Sequence, residues 1–246
     1  MQRQNDETIM RRLIFIIIIL SIIPLTHSKF YKKEGKLSMP ELPETWKLYS
    51  EIQLDSVIDY ELFEQAITGY NKIEDKKKEI ITLIDYSRPS NEERLFVIDL
   101  KNKELLYKSL VAHGRNSGSL YATSFSNKNG SYKSSLGFFL TENTYQGKNG
   151  YSLVLDGLEK GINDMAKARA IVMHAASYSS NASIKSTGQL GRSLGCPALP
   201  KEVSKDIINL IKGGSLVYIY ADDPNYFAES TIISPEEHED FGKHIG

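Results

Sequence analysis

A chain of 246 residues, 41% hydrophobic and 25% charged, has the composition of a globular protein rather than a disordered or fibrous one. Its formal net charge of −1 lacks the bulk basicity of a nucleic-acid binder, so no nucleic-acid partner is expected. A single cysteine, Cys196, excludes a disulfide framework within the chain.

At the N-terminus, Arg11 and Arg12 precede the apolar run Leu13–Leu25, and Thr26-His27-Ser28 follows. Basic start, short apolar run and small residues read as a secretory signal over residues 1–28. The run is shorter than the roughly 18–20 residues that span a bilayer. An uncleaved anchor or a buried strand is the alternative. Length favours export to the periplasm or cell envelope, with membrane contact only through this segment. Lys29–Pro43 is polar and punctuated by prolines, as a linker is. From Glu44 to Asn71 apolar positions recur at spacings of three and four, which predicts two short helices broken near Leu54–Ser56. Residues 29–78 therefore read as a linker and helical segment, closed by a solvated lysine-rich stretch with interleaved acids.

From Ile80 the pattern turns to short β-branched runs. Ile80–Tyr86, Leu95–Leu100 and Glu104–Val111 read as strands, the last two as a hairpin around Lys101-Asn102-Lys103. Gly137–Thr141, Ser152–Leu155, Ala170–Met173 and Leu216–Tyr220 are further strand candidates. Intervals 114–135 and 142–151, rich in Gly, Ser and Asn, read as loops. Lys201–Ile211 reads as a helix stopped by Gly213-Gly214. The expectation is a mainly β (α+β) domain over residues 79–222 and a polar tail over 223–246.

The chemistry gathers at Gly191-Arg192-Ser193-Leu194-Gly195-Cys196-Pro197-Ala198. In an oxidising compartment an unpaired thiol is exposed to oxidation and mispairing, which argues for a use. Its alternative is a small buried hydrophobe. A thiol nucleophile needs a base, and His174 at the end of an apolar strand forms the best dyad with Cys196 that the sequence offers. A hydrogen-bonded core histidine is the alternative for His174. His238 and His244 sit in the acidic tail and look idle. Pro197 has no N–H, so Leu194, Gly195 and Cys196 are the candidate backbone donors to an oxyanion. Arg192 could clamp a substrate carboxylate or favour the thiolate, or it could be a plain surface arginine. Together with Ser193 it is a substrate-binding candidate. His113, opening a Gly/Ser/Asn loop, could line the cleft, bind substrate or hold the loop by hydrogen bonds. One cysteine with two domain histidines makes no familiar zinc set, so neither metal nor other cofactor is expected.

Ser193-Leu194-Gly195-Cys196 resembles the nucleophile motif of the L,D-transpeptidase (YkuD-type) catalytic domain, usually Ser/Thr-His-Gly-Cys. The longer Gly191–Pro200 is similar to the murein L,D-transpeptidase branch of that family. So are, in order, Val111-Ala112-His113-Gly114, Asn116-Ser117-Gly118, Ser124-Phe125-Ser126-Asn127, Ser134-Ser135-Leu136-Gly137, Leu155-Asp156-Gly157-Leu158-Glu159 and Val172-Met173-His174-Ala175-Ala176. The resemblance covers roughly Ile80 to Tyr220. It implies a YkuD-like β-sandwich or barrel, Cys196 as nucleophile, His174 as base, and peptidoglycan stem peptides as substrate. The implied reaction forms a thioester on Cys196 that a second stem's amine resolves into a cross-link. With water as acceptor the enzyme is an L,D-carboxypeptidase instead, and a non-catalytic wall-binding module on the same fold is a third reading. Leu194, where the wider family has histidine, is the departure from the pattern.

Overall fold

Ile80–Ile84 is apolar at every position but Thr82 because its strand is interior to a sheet. In the computed structural model, which describes residues 42–234, β1 (Ile80–Asp85) is antiparallel to β2 (Leu95–Asp99) and parallel to β8 (Leu216–Tyr220). Strands with neighbours on both sides and cover on both faces lose the polar alternation of half-exposed ones. The segment read as a secretory signal and the start of the linker lie outside the described residues.

The full sheet has eight strands in the order β3-β2-β1-β8-β4-β5-β6-β7. Here β3 is Glu104–Ser109, β4 Gly137–Gly147, β5 Gly150–Gly157, β6 Val172–Ala175 and β7 Ala198–Leu199. An isolated antiparallel bridge between Ala112 and Ala198 ties the chain just past edge strand β3 to the opposite edge strand β7. The sheet thereby closes toward a barrel, and its seam runs beside Cys196. This is the mainly β architecture that the sequence leads one to expect.

Three elements depart from the sequence reading. Residues 142–151 are not a loop but the outer part of the β4–β5 hairpin, paired from Thr144↔Leu153 to Gly147↔Gly150. Strand β4 pairs with β8 only over Gly137–Leu140, and a register shift between Thr141 and Thr144 follows. Beyond it β4 has no β8 partner and the tip from Tyr145 to Gly150 is exposed, while β5 stays paired with β6 and buries Ser152 and Leu153; the exposed tip carries no apolar period. A short helix, α3 (Asn181–Thr187), is capped by the Ser180 side chain and closed by Gly188 in the left-handed conformation. Its run of small polar residues gives no amphipathic signal, and none of its residues is buried. Two-residue β7 is too short to show any pattern.

The N-terminal helices, α1 (Glu44–Glu51) and α2 (Tyr60–Lys72), share the core of the sheet. Asp59 caps α2, and its spacing of three and four buries Leu62, Phe63, Ala66 and Ile67. At Gly69 a Cβ would stand 2.1 Å from the Phe138 ring, so only glycine lets the helix lie this close. Arg88, after β1, donates to the Val57 carbonyl at 2.7 Å and ties the helical segment to the strand. From Pro43 on, the described chain is one compact unit. The helix α4 (Lys201–Ile211) buries Ile207, Ile208 and Ile211 as its periodicity predicts.

Residues 223–234 of the polar tail are also docked. Asp223 caps α5 (Pro224–Glu229), and Tyr226 is buried. The anchor is the buried Glu159 carboxylate, which accepts hydrogen bonds from Tyr226 Oη at 3.2 Å, Ser230 Oγ at 2.5 Å and the Phe138 N–H at 2.8 Å. Burial raises the Glu159 pKa despite these donors. The folded protein thus holds this proton at pH values where the unfolded chain has released it. Stability should fall as pH rises from about 4.5 through the raised pKa. Glu159→Gln keeps a neutral hydrogen-bonding group there. Urea unfolding followed by Trp46 fluorescence should show that the variant loses this part of the decline.

Candidate active site

The seam is built from two backbone segments laid against each other. Ala112 and Ala198 exchange N–H···O bonds at 2.8 and 3.2 Å, the Ser193 N–H donates to the His113 carbonyl at 2.9 Å, and the Arg115 N–H donates to the Ser193 carbonyl at 2.8 Å. Approach this close needs glycine at position 114. A Cβ there would lie 2.6 Å from the Tyr132 carbonyl oxygen and 3.0 Å from Gly195 Cα. Gly195 itself has φ +126, in the region that glycine alone enters freely. Ser193 Oγ accepts from the Gly195 N–H at 3.0 Å and donates to the Cys196 carbonyl at 2.6 Å. Ser193 is buried and fully used in shaping the turn, so it presents nothing to a substrate. The Gly195 N–H is likewise spent, which removes it as an oxyanion donor. The N–H groups of Leu194 and Cys196 meet no backbone carbonyl among the described residues.

His174 lies in β6, and its register partner in parallel β7 is Ala198. Cys196 is two residues before Ala198, about 7 Å back along the strand direction, beside Val172. The sulfur accepts from the Val172 N–H at 3.5 Å and donates to the Ala170 carbonyl at 3.7 Å. It makes no hydrogen bond to His174. The His174 Nδ1 is 2.9 Å from the Ala175 carbonyl oxygen. A carbonyl only accepts, so Nδ1 carries the proton and Nε2 keeps its lone pair. Burial pulls the His174 pKa below its ordinary value, and burial pushes the Cys196 thiol up, against the Val172 N–H and the Arg169 charge. At neutral pH both groups rest uncharged.

The thiol opens on a cleft of about 460 Å³. One wall is the tip of the β4–β5 hairpin, the other the loop around Tyr132, and Leu194, 53% exposed, stands on the rim. Arg169 lies on this cleft with its guanidinium turned into the loop. It donates to the carbonyls of Ser126 and Lys133, both at 2.6 Å, and to Ser135 Oγ at 2.5 Å. No motif marks Arg169 in the sequence, yet it fixes the loop and is the cation acting on the thiol. Arg192 is absent from the cleft lining. It is exposed and donates to the Gly118 carbonyl at 3.1 Å, on the side of His113.

His113 is fully buried, so it has no face for a substrate, and the loop-holding role is the one its surroundings support. Its Nδ1 is 2.8 Å from an Arg94 terminal nitrogen. Guanidinium only donates, so Nδ1 accepts, the proton sits on Nε2, and no lone pair remains for general-base work. Burial, then the Arg94 charge, pushes its pKa down to about 4. The buried Arg94 also donates to the Val111 carbonyl through two nitrogens, at 3.1 and 2.8 Å, and to the Arg88 carbonyl at 2.8 Å. Among the described residues no group of three His, Cys, Asp or Glu side chains could hold a metal.

A depressed histidine pKa has a definite sign. The stability is complete above about pH 6.5, the unfolded value, and drains as pH falls toward 4, by about 3 kcal/mol in all. Thermal melts at descending pH should show this loss. His113→Gln keeps an acceptor for Arg94 without titrating, and its Tm should lack that share of the acid sensitivity.

The family model described as the L,D-transpeptidase catalytic domain matches residues 54–220 of the chain. No curated protein matches it. Among solved structures it is similar to an L,D-transpeptidase from Mycobacterium smegmatis, with 13% identity, TM-score 0.37, and coverage of 58% of this chain and 59% of that one. It is also similar to an L,D-transpeptidase from Stackebrandtia nassauensis, at 14% identity and TM-score 0.36, covering 73% of this chain and 77% of that one. A C442S mutant of the Enterococcus faecium L,D-transpeptidase matches at 14% identity and TM-score 0.35, over 60% and 50% of the two chains. The chain thus spans about three fifths of the first of these structures. Of the two helices preceding β1, α2 lies within the matched region and α1 lies before it, since the match starts at Leu54.

Proposed function

We propose, for a chain that belongs to the L,D-transpeptidase catalytic domain family, that Cys196 is the acyl-accepting nucleophile of an exported enzyme acting on peptidoglycan stem peptides. One observation carries this reading. The only cysteine stands at the seam beside the strand of a histidine whose Nδ1–H is fixed on the Ala175 carbonyl, leaving Nε2 as a base.

The chemistry follows from two uncharged groups. Rotation of the Cys196 side chain away from Val172 and Ala170 turns the sulfur toward His174. Nε2 takes the thiol proton as sulfur attacks the carbonyl carbon of the third stem residue, at its L-centre. The carbonyl π electrons move onto oxygen, and the N–H groups of Leu194 and Cys196 stand nearest to receive that charge. When the tetrahedral species collapses, the C–N bond breaks. The imidazolium returns its proton to the departing nitrogen, and the terminal D-residue leaves as a free amino acid. A side-chain amine of a second stem then attacks the thioester, its proton passes to His174, and the thiolate leaves. The loss of the motif histidine at Leu194 does not touch this proton path, which runs through His174 alone.

The test is incubation of the protein lacking residues 1–28 with purified disaccharide tetrapeptides, with products read by mass. A cross-linked dimer and free D-amino acid are expected. Tripeptide without dimer would assign water as the acceptor, and intact substrate would leave a wall-binding module. A carbapenem should add once to the wild type and not to Cys196→Ala. His174→Gln should lose turnover by about two to four orders of magnitude, the range of general-base catalysis. Its thiol should still alkylate with iodoacetamide at high pH, where hydroxide replaces the base. N-terminal sequencing of the exported protein should begin near Lys29.

A further inference from the structure

The cleft in front of Cys196 has no carboxylate among its lining residues and carries two cations, Lys148 and Arg169. Their situations differ. Arg169 is half-buried and spends its terminal nitrogens on the 126–135 loop. Lys148 is exposed at the tip of the β4–β5 hairpin, between the paired Gly147 and Gly150, and makes no ion pair or hydrogen bond among the described residues. Arg192, the carboxylate clamp suggested by its place in the motif, is engaged with Gly118 outside this cleft. The cation free to meet an anion beside the thiol is therefore Lys148.

We infer that Lys148 is a specificity-determining residue that receives the terminal carboxylate of the donor stem while Cys196 attacks the preceding carbonyl. The inference rests on the peptidoglycan reading for the identity of the anion, and on the cleft alone for the preference for negative charge. In a tetrapeptide stem, the carboxylate of the leaving residue lies one residue beyond the attacked carbonyl, about 3.5 Å further along the chain. A lysine stem is long and its ammonium is a mobile point charge, suited to a carboxylate at a wet cleft mouth rather than to a fixed bidentate fork. The hairpin explains how the charge gets there. Past Leu140 strand β4 loses β8 as a partner, the register shift redirects the ribbon, and its tip extends beyond the sheet to the cleft. Tyr145, 45% exposed, lines the cleft from the same ribbon and offers an apolar ring beside the charge. The exposed tip residues from Tyr145 to Gly150 add nothing to the buried core.

Two alkylating agents of nearly equal size separate charge from access. Iodoacetate and iodoacetamide both transfer a two-carbon group to sulfur with loss of iodide, and differ by one negative charge. The ratio of their rates at Cys196 reads the local potential without any peptidoglycan chemistry. Lys148→Gln should lower the iodoacetate-to-iodoacetamide ratio about threefold and Lys148→Glu about tenfold, the size of one and two charges acting across a wet cleft. Added salt should shrink both effects. Arg192→Gln should leave the ratio unchanged. In turnover, Lys148→Gln should raise KM for the tetrapeptide several-fold with little change in kcat, and should spare its C-terminal amide. An unchanged rate ratio in both Lys148 variants, or the same fall in Arg192→Gln, would overturn the assignment. So would equal losses on acid and amide substrates. If the wild type turns over no stem peptide while the rate ratio still follows the charge at position 148, the peptidoglycan reading fails and the anion preference of the cleft stands.

Discussion

Everything at this site depends on one seam, where Ala112–Arg115 is hydrogen-bonded to Ser193–Ala198. Edge strands of an open sheet present unpaired backbone groups, and closing them against each other is one way to satisfy those groups. Here the closure is incomplete, two isolated bridges, Ala112 with Ala198 and Gly114 with Ser193, in place of a continuous ladder. That incompleteness is what leaves room for a tight turn ending in Cys196. The turn is held by backbone atoms throughout, with Ser193 Oγ and Ser134 Oγ as the side-chain pins. Ser134 accepts from the Gly114 N–H at 3.0 Å and donates to the Gly195 carbonyl at 3.2 Å. A nucleophile on such a turn is placed by many weak constraints, none of which needs to be a catalytic group itself.

Beneath the seam lies the most unusual charge in the protein. Arg94 is fully buried, and no carboxylate lies within salt-bridge distance of it among the described residues. Burial pushes its pKa down to about 10, which still leaves it cationic at neutral pH. Its donors are met by carbonyls of Val111 and Arg88 and by the His113 ring. Its cation also stands 4.8 Å over the Tyr86 ring. Removing a charge from water is costly, so this arrangement survives only because nearly every N–H is used. The return on it is geometric. Arg94 fixes where the chain leaves β3, and hence where His113 and Gly114 meet the nucleophile turn.

The fold was largely legible in the sequence wherever a strand or helix buries a regular face. The run Ile80–Ile84, the hairpin around Lys101–Lys103 and the 3–4 spacing of Leu62, Phe63, Ala66 and Ile67 each state their structure through periodicity. It was not legible where structure comes from backbone pairing in water. The tip of the β4–β5 ribbon is exposed from Tyr145 to Gly150, so residues 142–151 read as a loop, and the wall of the cleft was missed with it. Residues 223–234 read as tail because their anchor, Glu159, is a single buried carboxylate far away in sequence. Site residues divide in the same way. Cys196 and His174 are nameable from their chemistry and their neighbours. Arg169 and Lys148 are ordinary basic residues in sequence, and only folding shows which of them is spent and which is free.

The position of Arg192 shows why proximity in sequence is a poor guide to proximity at a site. Through a turn as tight as Ser193–Cys196, consecutive side chains leave in different directions. Leu194 points to the cleft rim, Ser193 folds inward onto the backbone, and Arg192 leaves on the side of Gly118. The charge that a substrate meets beside the sulfur must then come from other strands. In this molecule those are the hairpin that overshoots the sheet and the loop residue just before β6. The electrostatics of the thiol follow from the same division. Arg169 is held in place by the loop and acts on the sulfur continuously, yet burial still outweighs it and the thiol stays protonated. A protonated thiol reacts slowly with solvent-borne oxidants, which attack the thiolate. For a chain with a single cysteine, that is a physical reason to leave ionisation to the moment when substrate is bound.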